Sequence, residues 1–251
     1  MKPLNRQYSN KLSLIKSAIL NLIFPNQCLI CEEIINEESI FCSNHHKKVK
    51  FIESCKCQIC SRPLDSKSFF KDKCIKCLEK LPSYDSSTIL FTYEKFISKL
   101  ILSFKYNDNT YICKKLGKLF AQKIEKEPEI LIAVPLHKKR LKSRKYNQSI
   151  VLGKHICANL NNTRFIPDLL IRTKFSKTQE NLNKSQRMSN LKDAFEINDK
   201  YRDLVKDKNI MIVDDVVTTG ATLENCCKIL KLNGVSEVQI AAIAKTDYVE
   251  R

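Results

Sequence analysis

What this 251-residue chain is short of is acid. Asp and Glu number 27 against 44 Lys and Arg, which gives a formal net charge of +17 and a pI near 9.3. Such a surface favours polyanionic partners: nucleic acid, a phosphorylated ligand or an anionic membrane. Glycine is scarce as well, at 4 residues, while Lys is plentiful, so part of the charge is expected to be solvated surface. A long apolar run is missing. The stretch Leu12 to Phe24 is broken by Lys16 and Asn21, too short and too polar to span a bilayer, and no small-residue cleavage site follows it. Its apolar residues (Leu12, Leu14, Ile15, Ile19, Leu20, Ile23) fall at helical spacing, which predicts an amphipathic helix within residues 1–24. The polar face of that helix is basic, as a peripheral membrane contact would need. With 43% hydrophobic and 28% charged residues, a disordered chain is excluded. The expectation is a cytoplasmic, reduced protein, peripherally membrane-associated at most.

Twelve cysteines are present, and their spacing decides what they are for. Four pairs have two residues between the members: Cys28 and Cys31, Cys42 and His45, Cys57 and Cys60, Cys74 and Cys77. That spacing lets two side chains reach one tetrahedral zinc from a tight turn. Sequential pairing puts Cys28, Cys31, Cys42 and His45 on one Zn²⁺, and Cys57, Cys60, Cys74 and Cys77 on a second. His46 or Cys55 is the alternative to His45, and with that first set incomplete a single ion would be held. Residues 25–80 show little apolar periodicity, so metal rather than a core should hold them together. Cys113, Cys157, Cys226 and Cys227 sit singly in helical patterns and read as small buried residues.

Around Leu81-Pro82-Ser83-Tyr84-Asp85-Ser86-Ser87 the composition turns to linker residues, and residues 86–251 form the next domain. Strands are predicted at 88–93, 130–134, 209–213 and 235–244. Helices are predicted at 96–106, 111–126, 147–161 and from Leu223 to Asn233, with Gly234 in the C-cap role. Alternating strands and helices imply a parallel sheet with helices on both faces, and a ligand at the carboxyl ends of the strands.

One such strand end carries the most informative string in the chain, Val213-Asp214-Asp215-Val216-Val217-Thr218-Thr219-Gly220-Ala221-Thr222. Gly220 allows the close backbone approach that a phosphate needs. Free N–H groups and the positive end of the following helix attract an anion, and three threonines add hydroxyl donors. Two carboxylates would repel a phosphate, so Asp214 and Asp215 should instead accept hydrogen bonds from ribose hydroxyls. A second strand end runs into His137-Lys138-Lys139-Arg140-Leu141-Lys142-Ser143-Arg144-Lys145-Tyr146, with six basic residues and no acid between His137 and Tyr146. A pyrophosphate needs such counter-charge, which Arg grips bidentately. A polar stretch from Arg172 to Phe195 reads equally as a lid or a surface excursion.

The string around Asp214 resembles the phosphoribosyl pyrophosphate (PRPP) motif of type I phosphoribosyltransferases. That resemblance implies Asp214 and Asp215 on the ribose hydroxyls and Thr218, Thr219, Gly220, Ala221 and Thr222 on the 5-phosphate. It also implies Mg²⁺ carried with PRPP, and His137, Lys138, Lys139, Arg140 and Arg144 around the pyrophosphate, Arg144 as a catalytic group. Hypoxanthine-type enzymes have an Asp where this chain has Thr218, and a threonine is no general base at neutral pH. Purine salvage is therefore not expected.

The order of motifs is similar to that of the ComF family: cysteine pairs, Pro135-Leu136-His137, Arg144 with Asn147-Gln148, the polar stretch with Arg172, Thr178-Gln179, Arg187 and Ala194-Phe195, then the ribose-phosphate string. Many relatives have Gly where Lys145 stands. The resemblance runs from about Phe24 to Ala244 and implies a double zinc ribbon before a phosphoribosyltransferase fold. It further implies handling of incoming single-stranded DNA, in company with a DNA-uptake machinery at the membrane.

Overall fold

The computed structural model describes residues 25–36, 39–53, 55–64, 72–106, 110–136, 146–172 and 195–246. The expected N-terminal helix, the basic residues His137, Lys138, Lys139, Arg140 and Arg144, and most of the polar stretch after Arg172 lie outside them. The chain divides into two compact units, Met1–Val49 and Lys50–Arg251. The second cysteine set thus belongs to the same unit as the sheet.

In the first unit the main element is a short helix α1 (Ser43–Lys48). The second opens with α2 (Ile75–Glu79) and continues with β1 (Ser86–Thr92), α3 (Lys95–Tyr106), α4 (Thr110–Lys123), β2 (Ile130–Ala133), α5 (Gln148–Cys157), β3 (Arg164–Phe165), β4 (Leu170–Arg172), β5 (Phe195–Ile197), β6 (Asn209–Val217), α6 (Ala221–Leu232) and β7 (Glu237–Lys245). Five strands form one sheet in the order β1-β7-β6-β2-β3, every pairing parallel. β6 and β7 lie inside it and are buried over most of their length, with apolar runs at residues 210–213 and 240–244, as strands covered on both faces must be. On one face α6 presents Leu223, Cys226, Cys227 and Leu230 to Ile132, Ile210, Ile212 and Ile240. On the other α5 lies so close that a methyl group at Gly153 would meet Leu131 and the Phe165 ring. α4 approaches α5 at Gly117, where an added Cβ would stand 2.5 Å from the His155 carbonyl oxygen. Gly234, at φ 83°, ends α6 as its position suggested. Cys113, Cys226 and Cys227 are buried; Cys157 is half-buried and its thiol donates to the Thr163 carbonyl.

Two differences from the sequence reading bear on the site. β6 runs on through both carboxylates to Val217, because β7 continues beside it and pairs Val217 with Lys245. Asp214 and Asp215 therefore sit within a strand, on a rigid ladder, and not beyond its end. The polar stretch after Arg172 begins and ends in an antiparallel pair, β4 with β5, which sets Arg172 opposite Phe195 and the guanidinium over the ring. Short runs of two or three residues carry too little period to be seen in the sequence.

The segment at 81–87 has linker composition but is stapled to the sheet. Ser83 donates from its N–H and its hydroxyl to the Glu224 carboxylate at 2.9 and 2.7 Å. Asp85 exchanges hydrogen bonds with Val238 and pairs with Lys231. Residues 50–52 lie along β1, bonding to Leu90 and Thr92 and stacking Phe51 edge-on against Phe91. They cover what would otherwise be an open sheet edge.

Candidate functional site

The two cysteine sets are built alike. In the first, Cys28 N–H bonds to Glu33 O and Glu32 N–H returns to Cys28 O, with Glu32 at φ 61°. In the second, Cys57 N–H bonds to Arg62 O and Ser61 N–H returns to Cys57 O, with Ser61 at φ 53°. A non-glycine residue in this left-handed conformation costs about 1 kcal/mol, so each turn is held by what it encloses. The remaining ligand pair comes each time from a helix start, Cys42 and His45 at α1 and Cys74 and Cys77 at α2.

Within each set the candidate donor atoms lie within 4.8 Å of one another. Cys31 and Cys42 sulfurs are 3.8 Å apart and those of Cys60 and Cys74 3.6 Å. His45 Nδ1 is 3.7 Å from Cys28 Sγ and 3.3 Å from Cys42 Sγ. A tetrahedron with Zn–S near 2.3 Å has edges of about 3.8 Å between sulfurs, so the donors fit zinc without rearrangement. Of the alternatives to His45, His46 is exposed and Cys55 donates its thiol to the Leu64 carbonyl. Four crowded thiols resist sharing negative charge. Hydrogen bonds from Cys60 and Cys77 pull Cys57 far down, while bonds to Cys57 and Cys60 push Cys77 far up. A divalent cation is what allows all four to ionise together.

At the carboxyl end of β6 the chain leaves the sheet at Val217 and enters α6 through Gly220, whose φ of 74° needs a glycine. A shallow hollow there is lined by Asp214, Val216 and the run from Val217 to Leu223. Thr218, Thr219 and Ala221 are exposed along it. The first turn of α6 leaves N–H groups without intrahelical partners, and the helix dipole adds positive potential at the same place. Thr246, just past β7, holds the start of the loop through its N–H to Val217 O and its hydroxyl to Val217 and Thr218 carbonyls.

The carboxylates are half-buried and close. Asp214 Oδ1 accepts from Asp215 N–H at 2.9 Å and from the Ser149 hydroxyl at 3.3 Å. Asp215 Oδ2 is 2.7 Å from Lys105 Nζ. Burial, and then the charge of Asp215, push the Asp214 carboxyl up to about 7, against the lowering effect of those hydrogen bonds and of Lys105. Asn147 and Gln148 brace the backbone around the site. Asn147 Nδ2 donates to Val134 O at 3.0 Å and its Oδ1 accepts from Ser149 N–H, joining the two flanks of the basic segment. Gln148 Nε2 and Tyr146 hydroxyl reach the last carbonyls of α3, those of Lys105 and Phe104.

The structure thus gathers Asp214, Asp215, Thr218, Thr219, Gly220, Ala221 and Thr222 at one strand end, and the eight candidate metal ligands in two sets of four. Lys105 and Ser149 are additions that sequence reading missed. They come from helices remote in sequence, and only a sheet topology could have brought them to mind.

A double zinc ribbon domain model matches residues 19–78, and a phosphoribosyl transferase domain model matches residues 146–247. Competence protein F of Haemophilus influenzae is 30% identical over 236 residues, covering 88% of this chain and 98% of that protein. DNA utilization protein YhgH of Escherichia coli K12 is 29% identical, over 69% of this chain and 78% of that one. Competence protein ComFC of Bacillus subtilis is 22% identical, over 82% and 89%. Solved structures resemble the chain only distantly. Glutamine phosphoribosylpyrophosphate amidotransferase from B. subtilis is 18% identical with a TM-score of 0.40, over 57% of this chain and 30% of that one. Among the described residues no helix is long and apolar enough to cross a membrane. With both domain matches in order and a near full-length relative at 30% identity, the chain belongs to the ComF family of competence proteins, a double zinc ribbon followed by a phosphoribosyltransferase-fold domain.

Proposed function

We propose that this protein binds PRPP with Mg²⁺ at the carboxyl end of β6 and takes part in DNA uptake, handling incoming single-stranded DNA. The observation that carries the ligand reading is the sequence of groups leaving the sheet: two carboxylates on the strand, a left-handed glycine, then the amino end of α6. Residues 218–222 would take the 5-phosphate on backbone N–H groups and threonine hydroxyls, with Asp214 and Asp215 on the ribose hydroxyls. The basic residues His137, Lys138, Lys139, Arg140 and Arg144 would face the pyrophosphate, Arg144 beside the reacting carbon. Mg²⁺, when bound, neutralises pyrophosphate charge. The names of the relatives, which speak of competence and DNA utilization, support the cellular role. The +17 charge suits a nucleic-acid backbone.

Both cysteine sets would hold structural Zn²⁺, since four protein donors leave no open coordination position. Thr218 is exposed and carries no ionisable group, which favours a second reading: PRPP is sensed, or transferred to an acceptor other than a purine base. Pyrophosphate release across a panel of bases and amines separates the two. For the DNA role, binding of a single-stranded oligonucleotide should weaken steeply as salt is raised. Failure to bind at low salt would remove it.

A further inference from the structure

Among the described residues Lys105 is the cation paired with the diacid, and no motif marks it. Its ammonium lies 2.7 Å from Asp215 Oδ2, with the two side chains 18% and 15% exposed. An ion pair this sheltered is costly to maintain unless its geometry is good. The surroundings fix that geometry. The Lys105 carbonyl accepts from Gln148 Nε2 at 3.2 Å, and the Phe104 carbonyl from the Tyr146 hydroxyl at 2.9 Å. The last turn of α3 is therefore tied to the start of α5, and Ser149 of α5 donates to Asp214. Each carboxylate is held from outside the strand, Asp215 by Lys105 and Asp214 by Ser149, and the helix ends that carry these two residues are joined through Gln148 and Tyr146.

We propose that Lys105 is a positioning residue for a ribose diol: its ammonium neutralises and orients the Asp215 carboxylate, and so leaves the neighbouring Asp214 free to act as a second acceptor. The proposal rests on the ribose-phosphate reading of the site. Two adjacent, half-buried carboxylates oppose each other's ionisation, and a protonated carboxyl accepts poorly from a hydroxyl. The groups facing Asp214 are Asp215 on its own strand, Ser149 from α5, Lys105 from α3 and the Cys226 thiol from α6. Burial holds Cys226 far above neutrality, and Arg172 of β4 acts on Cys226. Among these described groups Lys105 is thus the one whose charge favours an ionised Asp214. The same placement keeps a net negative diacid from repelling the sugar's phosphate.

The test uses the full chain, wild type, Lys105→Met and Lys105→Arg, titrated with ribose 5-phosphate and with 2-deoxyribose 5-phosphate across the neutral pH range. In the wild type, affinity for ribose 5-phosphate should rise with pH around a midpoint near 7. It should exceed that for the deoxy sugar by about tenfold, the effect of one hydrogen bond to a charged acceptor. Lys105→Met should move the midpoint to higher pH and shrink the preference; Lys105→Arg should restore both. If the Met variant does not fold, Lys105→Gln, which keeps a donor without the charge, is read in the same way. A midpoint and preference unmoved in the uncharged variant overturn the proposal, whatever the loss of affinity. A wild type that binds neither sugar phosphate overturns the ribose-phosphate reading itself, a distinct outcome.

Discussion

Replacing Asp214 by Asn should stabilise the ligand-free protein, and by an amount that depends on pH. The folded state raises this carboxyl from its ordinary 3.8 to about 7. Between those two values the folded chain holds a proton that the unfolded chain has released. Stability therefore falls as pH rises through that window, and the loss is complete above about 7. Three units at about 1.4 kcal/mol each set a ceiling of about 4 kcal/mol. Asp214 and Asp215 titrate as a pair, so part of this ceiling belongs to the pair as a whole and about 2 kcal/mol is expected from the single substitution. An Asn amide keeps the oxygen that accepts from Asp215 N–H and Ser149, and carries no charge to repel Asp215. In a domain of this size about 2 kcal/mol corresponds to about 4–8 °C in Tm. The assay is thermal unfolding of both proteins without ligand, from about pH 4 to about pH 8. Taking the difference between the two cancels the acid sensitivity of the metal sites. The Asn advantage should be absent at the acid end, grow through the window and level off above it. A gap that is constant with pH, or of opposite sign, would refute the assignment of a desolvated, charge-crowded site.

Three further outcomes follow from packing and metal chemistry. Lys245 is 9% exposed and its ammonium donates to the Cys60 carbonyl at 2.6 Å; Lys245→Met should cost about 1–3 kcal/mol and speed release of the second zinc to a chromophoric chelator. Gly117→Ala would drive a methyl group to 2.5 Å from backbone oxygen of His155, and should lower stability by about 1–3 kcal/mol or more, measured by denaturant unfolding. Elemental analysis should give about two zinc ions per chain, falling to about one in Cys57→Ser.

The sequence made some of this legible and hid the rest for identifiable reasons. The paired spacing of Cys28 through Cys77 is a local signal, because a tight turn needs those residues close in the chain. The loop from Val213 to Thr222 is equally local: a buried strand, a diacid, a glycine, a helix. The end of β6 was not legible, since Asp214 and Asp215 interrupt the apolar run while the neighbouring β7 carries the pairing onward. Ser83 and Asp85 looked like linker because small polar residues suit turns, yet their partners Glu224 and Val238 lie about 140–150 positions away. Lys105, Ser149 and Lys245 act through contacts of the same long range. A lysine on an amphipathic helix gives no hint that it faces a carboxylate.

The central claim is that Asp214 to Thr222 holds a ribose 5-phosphate. Calorimetric titration of PRPP with Mg²⁺ into wild type and into the folded Asp214→Asn/Asp215→Asn double variant tests it most directly. Saturable binding by the wild type, weakened at least about tenfold in the variant, is the predicted result. Equal affinity in the two proteins, or no binding by the wild type, would contradict it.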